Sequence, residues 1–502
     1  MKSMNIPPEF IAWFWGMYEN LCVSVVVNRW KSDKIPVKRG FMEGHAPSMA
    51  AFVLAAAPLG MALEQDLEGI YTPDGILHKA KTFADDSKLV IKNVDTELSR
   101  VYETISNFER VSGNEMHRDP SRGKCQALSF GSHRRYEKWP TWVTVKNEIN
   151  ILGICYSNRE SLEKCNSKVV FEVVNNHIMG KFSMRGTPLQ KAAYANTYIF
   201  SKIWYVAQTI KLDQNIMKKI TQKVLNFIWA GQNERPVRAL NFRPKYLGGL
   251  GLMCPVTKSK ALLIKNMFKD YLVLGGSEDK VESLYGCKND FKRVLVSGID
   301  MKNIKEIYEQ LMNDICFKNG SLVPSRAEKR STGVKWKIAW QNLKKINGVT
   351  AQEKYFQWQV QQDMLPIGDR LHRPGAEKRC LSVTENYQVC TQINSRQHML
   401  LFCPSLGENI VKIILSDFLD RTVSDQEILH FSFNHRSKKR LSIAVWFSVK
   451  MLYWIYCKKC FNKRQLLDEM LKEIEWNLKM TNGLGSLSEV VSLKMCISRK
   501  RN

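Results

Sequence analysis

The chain is poor in acidic residues and has no apolar run typical of a secreted or membrane protein. Its 502 residues contain 48 Asp and Glu against 75 Lys and Arg, a formal net charge of +27. Such a surplus favours a polyanionic partner, because each phosphate that a cation neutralises releases condensed counterions. A solvated basic surface without a partner is the alternative. We expect nucleic acid, RNA or DNA, as the partner.

Targeting signals are also missing. The first eight residues contain no signal-peptide core. The two most apolar stretches, 49–63 and 441–457, contain Pro58 and Lys450 and are shorter than the roughly 20 residues of a spanning helix. We therefore expect two buried helices, no membrane contact and an intracellular location, nuclear or cytoplasmic.

Regular cysteine spacing is the third absence. Thirteen cysteines in no framework pattern predict a reducing compartment. Cys457 and Cys460 form a lone Cys-x-x-Cys in a basic helical stretch, which indicates helix packing. The glycines of residues 248–252 lack Gly-x-Gly-x-x-Gly spacing and predict a turn between extended segments. With 44% apolar and 25% charged residues, the chain is globular, with about three domains by length.

A pair of adjacent carboxylates, Asp85 and Asp86, stands between the short apolar runs 76–84 and 89–91. Strand, tight polar turn and strand predict a β-hairpin, since Asp tolerates the positive φ of such turns. A divalent cation relieves the repulsion between two neighbouring carboxylates. An ordinary Asp-containing turn is the alternative.

The segments around this pair resemble the reverse transcriptases of non-LTR (LINE-type) retrotransposons. Their palm carries Arg-Gly-x-x-Gln-Gly-x-Pro-x-Ser, then a helix, then Tyr/Phe-Ala-Asp-Asp. Here residues 39–48 match the first segment, 50–63 the helix and 83–86 the acidic hairpin. Further matches follow in order at Ser112-Gly113, Lys124, 128–131, 151–153 and 248–252.

This resemblance implies RNA-directed DNA polymerase chemistry, in which two Mg²⁺ ions clamp the attacking and leaving oxygens of nucleotidyl transfer. Asp85 and Asp86 would bind Mg²⁺, and Arg39 and Gly44 would lie against nucleotide and template. Lys124 would protonate or neutralise the leaving pyrophosphate, the alternative being an ordinary surface lysine. Deoxynucleoside triphosphates are the implied substrates if the protein is active.

Departures from the family pattern weaken this implication. Glu43 replaces the Gln, and Ala46 stands where the family has Pro. The family's further Asp lies on a strand well upstream, and none of the acids before Arg39 occupies such a strand: Glu9, Glu19 and Asp33. We therefore expect weak Mg²⁺ binding and a protein that is not an autonomous polymerase.

A second resemblance lies downstream. Cys390, His398 and Cys403 match the second half of the Cys-x-x-Cys…His…Cys region that trails the polymerase in these elements. Cys380 completes a Cys₃His zinc set if the chain between it and Cys390 loops back. Free cysteines and a surface histidine are the alternative.

The helical part between these regions fits a polymerase thumb. Thr187 and Pro188 predict a helix start, followed by an apolar stripe at Ala192, Ala195, Ile199, Ile203, Val206 and Ile210. Asp213 predicts a second start, with outward-facing lysines at Lys218, Lys219 and Lys223. A plain helical hairpin with a soluble face is the alternative.

The predicted fold class is α+β: a partial polymerase palm, an antiparallel sheet with helices, precedes a helical thumb and a mostly helical C-terminal region. The domains are 1–160 palm, 161–270 thumb, 271–330 connector, 331–430 zinc-knuckle-like region and 431–502 basic helical tail. A half-palm leaves an open sheet edge and exposed apolar surface, so residues 1–160 should fold poorly alone.

Three functions fit these observations. The first is a truncated protein of retrotransposon reverse transcriptase lineage, inactive alone. The second is an active polymerase completed by a further segment. The third is a non-catalytic RNA- or DNA-binding protein derived from the element.

Overall fold

The structure is a computed structural model of the chain. It describes residues 5–37, 40–41, 47–72, 75–84, 86–119, 124–131, 138–231, 236–285, 288–318, 321–345, 348–365, 379–380, 382–383, 388–393, 395–457, 462–479 and 487–501. The chain forms two compact units, unit 1 (Met1–Lys146) and unit 2 (Asn147–Asn502). The five domains expected from the sequence stay predictions.

Unit 1 combines helices with very short strands. Its helices are α1 (Pro8–Tyr18), α2 (Ser48–Asp66) and α3 (Val94–Ser112). Its strands are β1 (Cys22–Val23), β2 (Val26–Val27), β3 (Trp30–Lys31), β4 (Ile35–Pro36), β5 (Ile70–Tyr71), β6 (Leu77–His78), β7 (Ala80–Phe83), β8 (Asp86–Leu89), β9 (Gln126–Ala127) and β10 (Thr144–Val145).

These strands pair two by two and form no continuous sheet within the described residues. Antiparallel pairs join β1 with β4, β2 with β3, β5 with β6 and β7 with β8, whereas β9 and β10 are parallel. The β2–β3 ladder lies inside the β1–β4 ladder, because the chain turns at Asn28 and Arg29. Their positive φ angles, 49° and 72°, are those of a two-residue hairpin loop.

The core of unit 1 is small. Leu63 and Leu67 at the end of α2 pack with Ala80 of β7 and Val101 of α3. The buried carboxylate of Glu97 accepts backbone hydrogen bonds at the start of α3, from the N–H groups of Glu68, Lys92 and Asn93. Hydrogen bonds to the Glu97 carboxylate thus connect the end of α2, the end of the acidic hairpin and the start of α3.

Within the described residues, α2 is the one helix long and apolar enough to cross a membrane, judged by length and composition alone. At 19 residues it is longer than the stretch 49–63 expected from the sequence. Only 17% of its most apolar 18 residues are buried, and Met49 and Met61 are exposed, so the prediction of a buried helix over 49–63 is wrong. The absence of membrane contact stays a prediction.

Unit 2 is mainly helical. A hairpin of β11 (Glu148–Ile151) and β12 (Ile154–Ser157) precedes α4 (Leu162–Met179), α5 (Pro188–Tyr194), α6 (Ser201–Ala207), α7 (Gln214–Ile228), α8 (Arg238–Phe242) and α9 (Pro255–Val273). Then follow α10 (Glu278–Tyr285), α11 (Lys288–Val296), α12 (Ile304–Cys316), the hairpin of β13 (Phe317–Lys318) and β14 (Ser321–Leu322), α13 (Arg326–Arg330), α14 (Trp336–Lys345) and α15 (Ala351–Gln361). The last helices are α16 (Ile410–Phe418), α17 (Asp425–His430), α18 (Lys438–Cys457), α19 (Lys463–Lys479) and α20 (Leu487–Arg501).

Both predicted helix starts of the thumb-like region are confirmed. Thr187 forms a capping box with Gln190, and the Asp213 carboxylate accepts from the N–H groups of Asn215 and Ile216 at 2.7 and 2.9 Å. The predicted apolar stripe is fully buried. A π-helical turn, Ala195–Ile199, separates α5 from α6 where the pattern predicted one continuous helix.

A glycine turn joins the thumb-like helices to the C-terminal helices. Gly248 has φ +83°, and its carbonyl accepts hydrogen bonds from Trp358 Nε1 at 2.9 Å and Gln362 Nε2 at 2.6 Å. The fully buried guanidinium of Arg243 pairs with Glu328 at 3.1 Å. The predicted turn is therefore also a packing junction.

The second apolar stretch, 441–457, lies in α18, which is buried as predicted from Ile443 to Leu452. The ammonium of Lys450 is buried between the carboxylates of Glu353 and Glu473, at 2.7 and 2.6 Å. Two carboxylates compensate the one charge within the apolar stretch 441–457. This pairing explains how a charged lysine is tolerated inside a buried helix.

A disulfide, Cys155–Cys165, links β12 to α4. The cysteines are 10 residues apart, and the turn into α4 brings their Cα atoms to 6.3 Å. Asn166 holds the same two elements together, because its side chain bonds the N–H and C=O of Cys155. This pairing does not follow from cysteine spacing, since it depends on the return of the chain, and it runs against the reducing compartment that the cysteine pattern predicted.

Candidate metal centre

Four side chains predicted as zinc ligands converge in unit 2. Cys380, Cys390, His398 and Cys403 each present one ligand atom, and these atoms all lie within 4.8 Å of one another. Three of the residues are buried and Cys390 is partly buried. The group can hold a metal ion such as zinc.

A short antiparallel ladder brings Cys380 to the other three ligands. Bridges pair Arg379 with Ile393 and Val383 with Val389. The N–H of Cys380 donates to the carbonyl of Gln392, and the N–H of Cys390 donates to that of Ser382, both at 2.8 Å. The chain thus loops back between Cys380 and Cys390, which is the condition that the sequence set for a Cys₃His group.

The other two ligands lie at the two ends of a π-helical turn, His398–Phe402: His398 is its first residue and Cys403 follows its last. The N–H of His398 donates to Ser395 Oγ at 3.0 Å, which orients the first residue of the turn. Cys403 has extended backbone angles and precedes the short helix Pro404–Leu406. Met399, Leu400 and Leu401 between the ligands are buried in the core formed with α16 and α18. The ligands therefore rest on a packed core.

Two of the distances between ligand atoms fit tetrahedral zinc, and all four atoms lie within 4.8 Å of one another. Zn–S bonds of about 2.3 Å and Zn–N bonds of about 2.05 Å at tetrahedral angles place two sulfurs about 3.8 Å apart and sulfur and nitrogen about 3.6 Å apart. In the structure the Sγ atoms of Cys380 and Cys403 are 3.8 Å apart. Cys390 Sγ lies 3.4 Å from His398 Nε2. Donor type and spacing both match a structural zinc set.

The thiols of Cys380 and Cys403 differ in pKa. Thiol–thiol contact with Cys403 lowers the pKa of Cys380 to about 7, with help from Ser382 and against the effect of burial. The same contact, together with burial, raises the pKa of Cys403 to about 11. One thiol of the pair thus gives up its proton readily, which metal binding requires of a cysteine ligand.

Two polar features of the site were missed from the sequence. Ser382 Oγ lies 2.8 Å from Cys380 Sγ and 3.0 Å from Cys403 Sγ, so its hydroxyl bridges both sulfurs. His398 Nδ1 is buried and has no hydrogen-bond partner among the described residues. Hydroxyls beside ligand sulfurs tune metal sites, but no spacing rule points to Ser382.

The predicted polymerase residues are only partly described. Asp86 begins β8 and pairs with Phe83, and Ala84 in the turn has φ +53°. The predicted acidic hairpin is therefore present, but Asp85 lies outside the described residues, as do Arg39 and Gly44. Within the described residues Asp86 belongs to no group of three or more His, Cys, Asp or Glu side chains suited to a metal. Lys124 is exposed.

Comparison with known proteins gives one informative similarity. No protein-family model matches the chain. The chain is 24% identical to the Transposon TX1 uncharacterized 149 kDa protein of Xenopus laevis over 265 residues, 51% of this chain and 19% of that protein. The match thus spans about a fifth of that protein's length. This similarity supports a retrotransposon origin of the chain.

Proposed function

We propose that the protein is a nucleic-acid-binding protein of the reverse transcriptase lineage of non-LTR retrotransposons, with a structural zinc ion in its C-terminal part. The observation that carries the proposal is the convergence of Cys380, Cys390, His398 and Cys403. These residues lie where the resemblance to such elements expects a zinc-binding region. The similarity to a transposon protein agrees with this origin.

Zinc in this group would be structural. Four protein ligands leave no open coordination position for water or substrate, which is the property of structural zinc sites. The ion would cross-link the ladder 379–393 to the turn that begins at His398. Ser382 would hydrogen-bond the ligand sulfurs, and the core around Met399 would exclude water from them.

The basic surface supports nucleic acid as the partner. The net charge of +27 is large for a chain of this length. In α7 the buried face includes Ile220 and Val224, whereas Lys218 and Lys219 are exposed on the other side. Such a helix packs on one side and offers cations to a phosphate backbone on the other, as the thumb resemblance implies.

We further propose that the chain alone does not polymerise. Two-metal catalysis needs carboxylates from at least two chain segments, because one hairpin cannot surround both ions. Asp85 and Asp86 are adjacent and so belong to one chain segment, and Glu43 adds negative charge where the resemblance expects Gln. A carboxylate pair alone should bind Mg²⁺ weakly, since Mg²⁺ demands octahedral geometry and releases water reluctantly.

Binding and primer extension together test this function. We expect the purified chain to bind RNA and DNA, with an affinity that falls steeply between about 50 and 200 mM salt and survives Asp85→Ala. No incorporation of deoxynucleotides is expected. Absence of binding at low salt would contradict the proposed function. Mg²⁺-dependent incorporation that Asp85→Asn abolishes would show an active polymerase instead.

A further inference from the structure

The β2–β3 hairpin of unit 1 carries an unusually exposed tryptophan. Val27 pairs with Trp30 and Val26 with Lys31 across the two strands. The side chain of Trp30 is 83% exposed, and Val26 and Val27 are 64% and 61% exposed. Because cross-strand partners lie on the same face, both faces of this ribbon are open to solvent. Trp30 therefore adds little to the core.

The backbone of the hairpin is nevertheless well defined. Ser32 N–H donates to the carbonyl of Val25, and Val25 N–H donates to Ser32 Oγ, both at 2.9 Å. The outer ladder of β1 and β4 closes its base. Asn28 and Arg29 form the two-residue loop at its tip. The hairpin holds its exposed side chains in fixed order along a short ribbon.

Three cations lie near Trp30 along the chain. Arg29 precedes Trp30, Lys31 follows it, and Lys34 lies three residues further, against one acidic neighbour, Asp33. All three cations are exposed. Within the described part of the chain none of them forms an ion pair. The tip therefore combines an open aromatic face with uncompensated positive charge.

We propose that this hairpin, residues 25–34, binds a single-stranded segment of RNA or DNA. The indole of Trp30 stacks on an unpaired base, and Arg29, Lys31 and Lys34 contact the flanking phosphates. Stacking on an aromatic side chain together with cations along the backbone is how single strands are bound without sequence preference. The proposal rests on the proposed function and deepens it, because it assigns one contact surface and one class of ligand.

A second exposed tryptophan shows what distinguishes this site. Trp15 of α1 is 70% exposed, so its ring is almost as open as that of Trp30. Its helix contains Glu9 and no basic residue, and Glu19 follows directly. An exposed indole beside acidic side chains does not suit a phosphate backbone. Charge, not exposure alone, selects Trp30, and Trp15 supplies the matched control.

A single strand fits the tip better than a duplex does. An indole can stack only on a base face that is not already covered by neighbouring base pairs. In a duplex the cations would still find phosphates, but the ring would gain little. Binding to the single strand should therefore depend on Trp30, whereas binding to a duplex of the same length should not.

The test measures the affinity of the full-length chain for a labelled single strand of about 15 nucleotides and for the matching duplex, by fluorescence anisotropy over a salt series. Trp30→Ala should weaken single-strand binding roughly 5- to 100-fold without changing the salt slope. Trp30→Phe should keep most of the affinity. Trp15→Ala should bind as the unmodified chain does.

The salt dependence of binding tests the three cations separately. Replacing Arg29, Lys31 and Lys34 by Gln should lower the slope of log affinity against log salt by about 2, since each phosphate contact with a single strand contributes about 0.7. Ultraviolet crosslinking to a single strand should label peptide 25–34. This measurement needs no variant, so it holds even if a substitution disturbs folding.

The outcomes separate the two proposals. If Trp30→Ala binds the single strand like Trp15→Ala, or if crosslinks avoid peptide 25–34, the hairpin proposal is overturned and nucleic-acid binding by other surfaces stands; a protein partner would then be the better occupant. Equal losses on single strand and duplex would also overturn it. If the unmodified chain binds neither, the proposed function itself fails.

Discussion

The two units of this chain begin their helices in different ways. In unit 1 the residues before α1, α2 and α3 are Pro7, Pro47 and Asn93, and none of their side chains caps the helix. In unit 2 the described residues include ten side-chain caps at helix starts, at Ser161, Thr187, Asp213, Ser277, Asn303, Ser325, Thr350, Ser424, Ser437 and Asn462. Local signals thus define unit 2 far more strongly than unit 1.

The hydrophobic core of unit 1 is also smaller than the cores of unit 2. The described part of unit 1 has a core cluster of four buried residues, all between Leu63 and Val101. Unit 2 contains three larger clusters, two of which include fully buried tryptophans such as Trp358 and Trp446. Since burial of apolar area is the main favourable term in folding, unit 2 should carry most of the stability. Unit 1 exposes apolar side chains that a partner could cover.

The largest effect should come from the glycine junction of unit 2. A Cβ on Gly248 would lie 2.4 Å from the Trp340 ring, at φ +83°. Gly248→Ala should destabilise unit 2 by about 2 to 5 kcal/mol, as left-handed strain and overpacking add. Gly275 has φ +72° and open space around it, so Gly275→Ala should cost only about 1 to 2 kcal/mol.

Hydrogen exchange of the α14 and α15 amides measures this difference as a free energy of opening. Exchange in unit 1 should stay unchanged in both variants, which makes it the internal reference. Similar losses for Gly248→Ala and Gly275→Ala would mean that the junction does not support unit 2.

Acid should act on unit 2 through a buried histidine. Burial, reinforced by Arg396 and opposed by Asp363, lowers the pKa of His430 to about 4. The folded state therefore resists a proton that the unfolded chain accepts below about 6.5. His430 therefore leaves the free energy of unfolding unchanged above about pH 6.5 and lowers it as the pH falls from 6.5 towards 4, by about 3 kcal/mol in all.

Denaturant unfolding at several pH values checks this in unmodified protein and in His430→Gln. The variant should lose less stability between pH 6.5 and 4.5. Because the proposed zinc ligands would also take up protons in acid in both proteins, only the difference between the two curves reports His430. In unit 1, His78 and His117 are not buried. Identical pH profiles would rule out His430 as the cause.

Limited proteolysis should separate the units directly. Proteases cut where the backbone opens easily, and the small core of unit 1 protects its chain less than the buried helices of unit 2 do. We expect cleavage within unit 1, residues 1–146, at least about tenfold faster than within 186–230. First fragments that end inside 186–230 would reverse the comparison.

The smallest effect concerns the caps. Thr187→Ala removes a capping box and should cost about 1 kcal/mol, whereas Thr187→Ser keeps the hydroxyl and most of the stability. Asn93 makes no side-chain cap bond in unit 1, so Asn93→Ala should have almost no effect. Urea midpoints of the four proteins test this. Equal losses for the Thr187→Ala and Asn93→Ala variants would remove the contrast in capping.

The predictions that hold are the local ones. The caps at Thr187 and Asp213 and the buried stripe follow from residues within a few turns of each other. The π-helical turn after Tyr194 does not, because the apolar stripe continues through it. The junction was also beyond prediction, since Trp358 and Gly248 are 110 residues apart in the sequence.

The candidate metal centre likewise contains residues that the sequence predicts and residues that it does not. The spacing of Cys390, His398 and Cys403 was visible in the sequence, whereas the position of Cys380 depended on a ladder whose register involves residues up to 14 apart. Ser382 had no signal, because a serine two residues after a cysteine is common on exposed strands too. Side chains gathered by backbone pairing become predictable only when that pairing is known.

Zinc content tests the central claim most directly. Elemental analysis of the purified chain should find about one zinc ion per molecule. Cys403→Ser should lose the metal, while Cys496→Ser, which changes a buried cysteine of the same core outside the group, should retain it. A chain without zinc, or a Cys403→Ser variant that keeps a full equivalent, would contradict the assignment of these four residues as a metal centre.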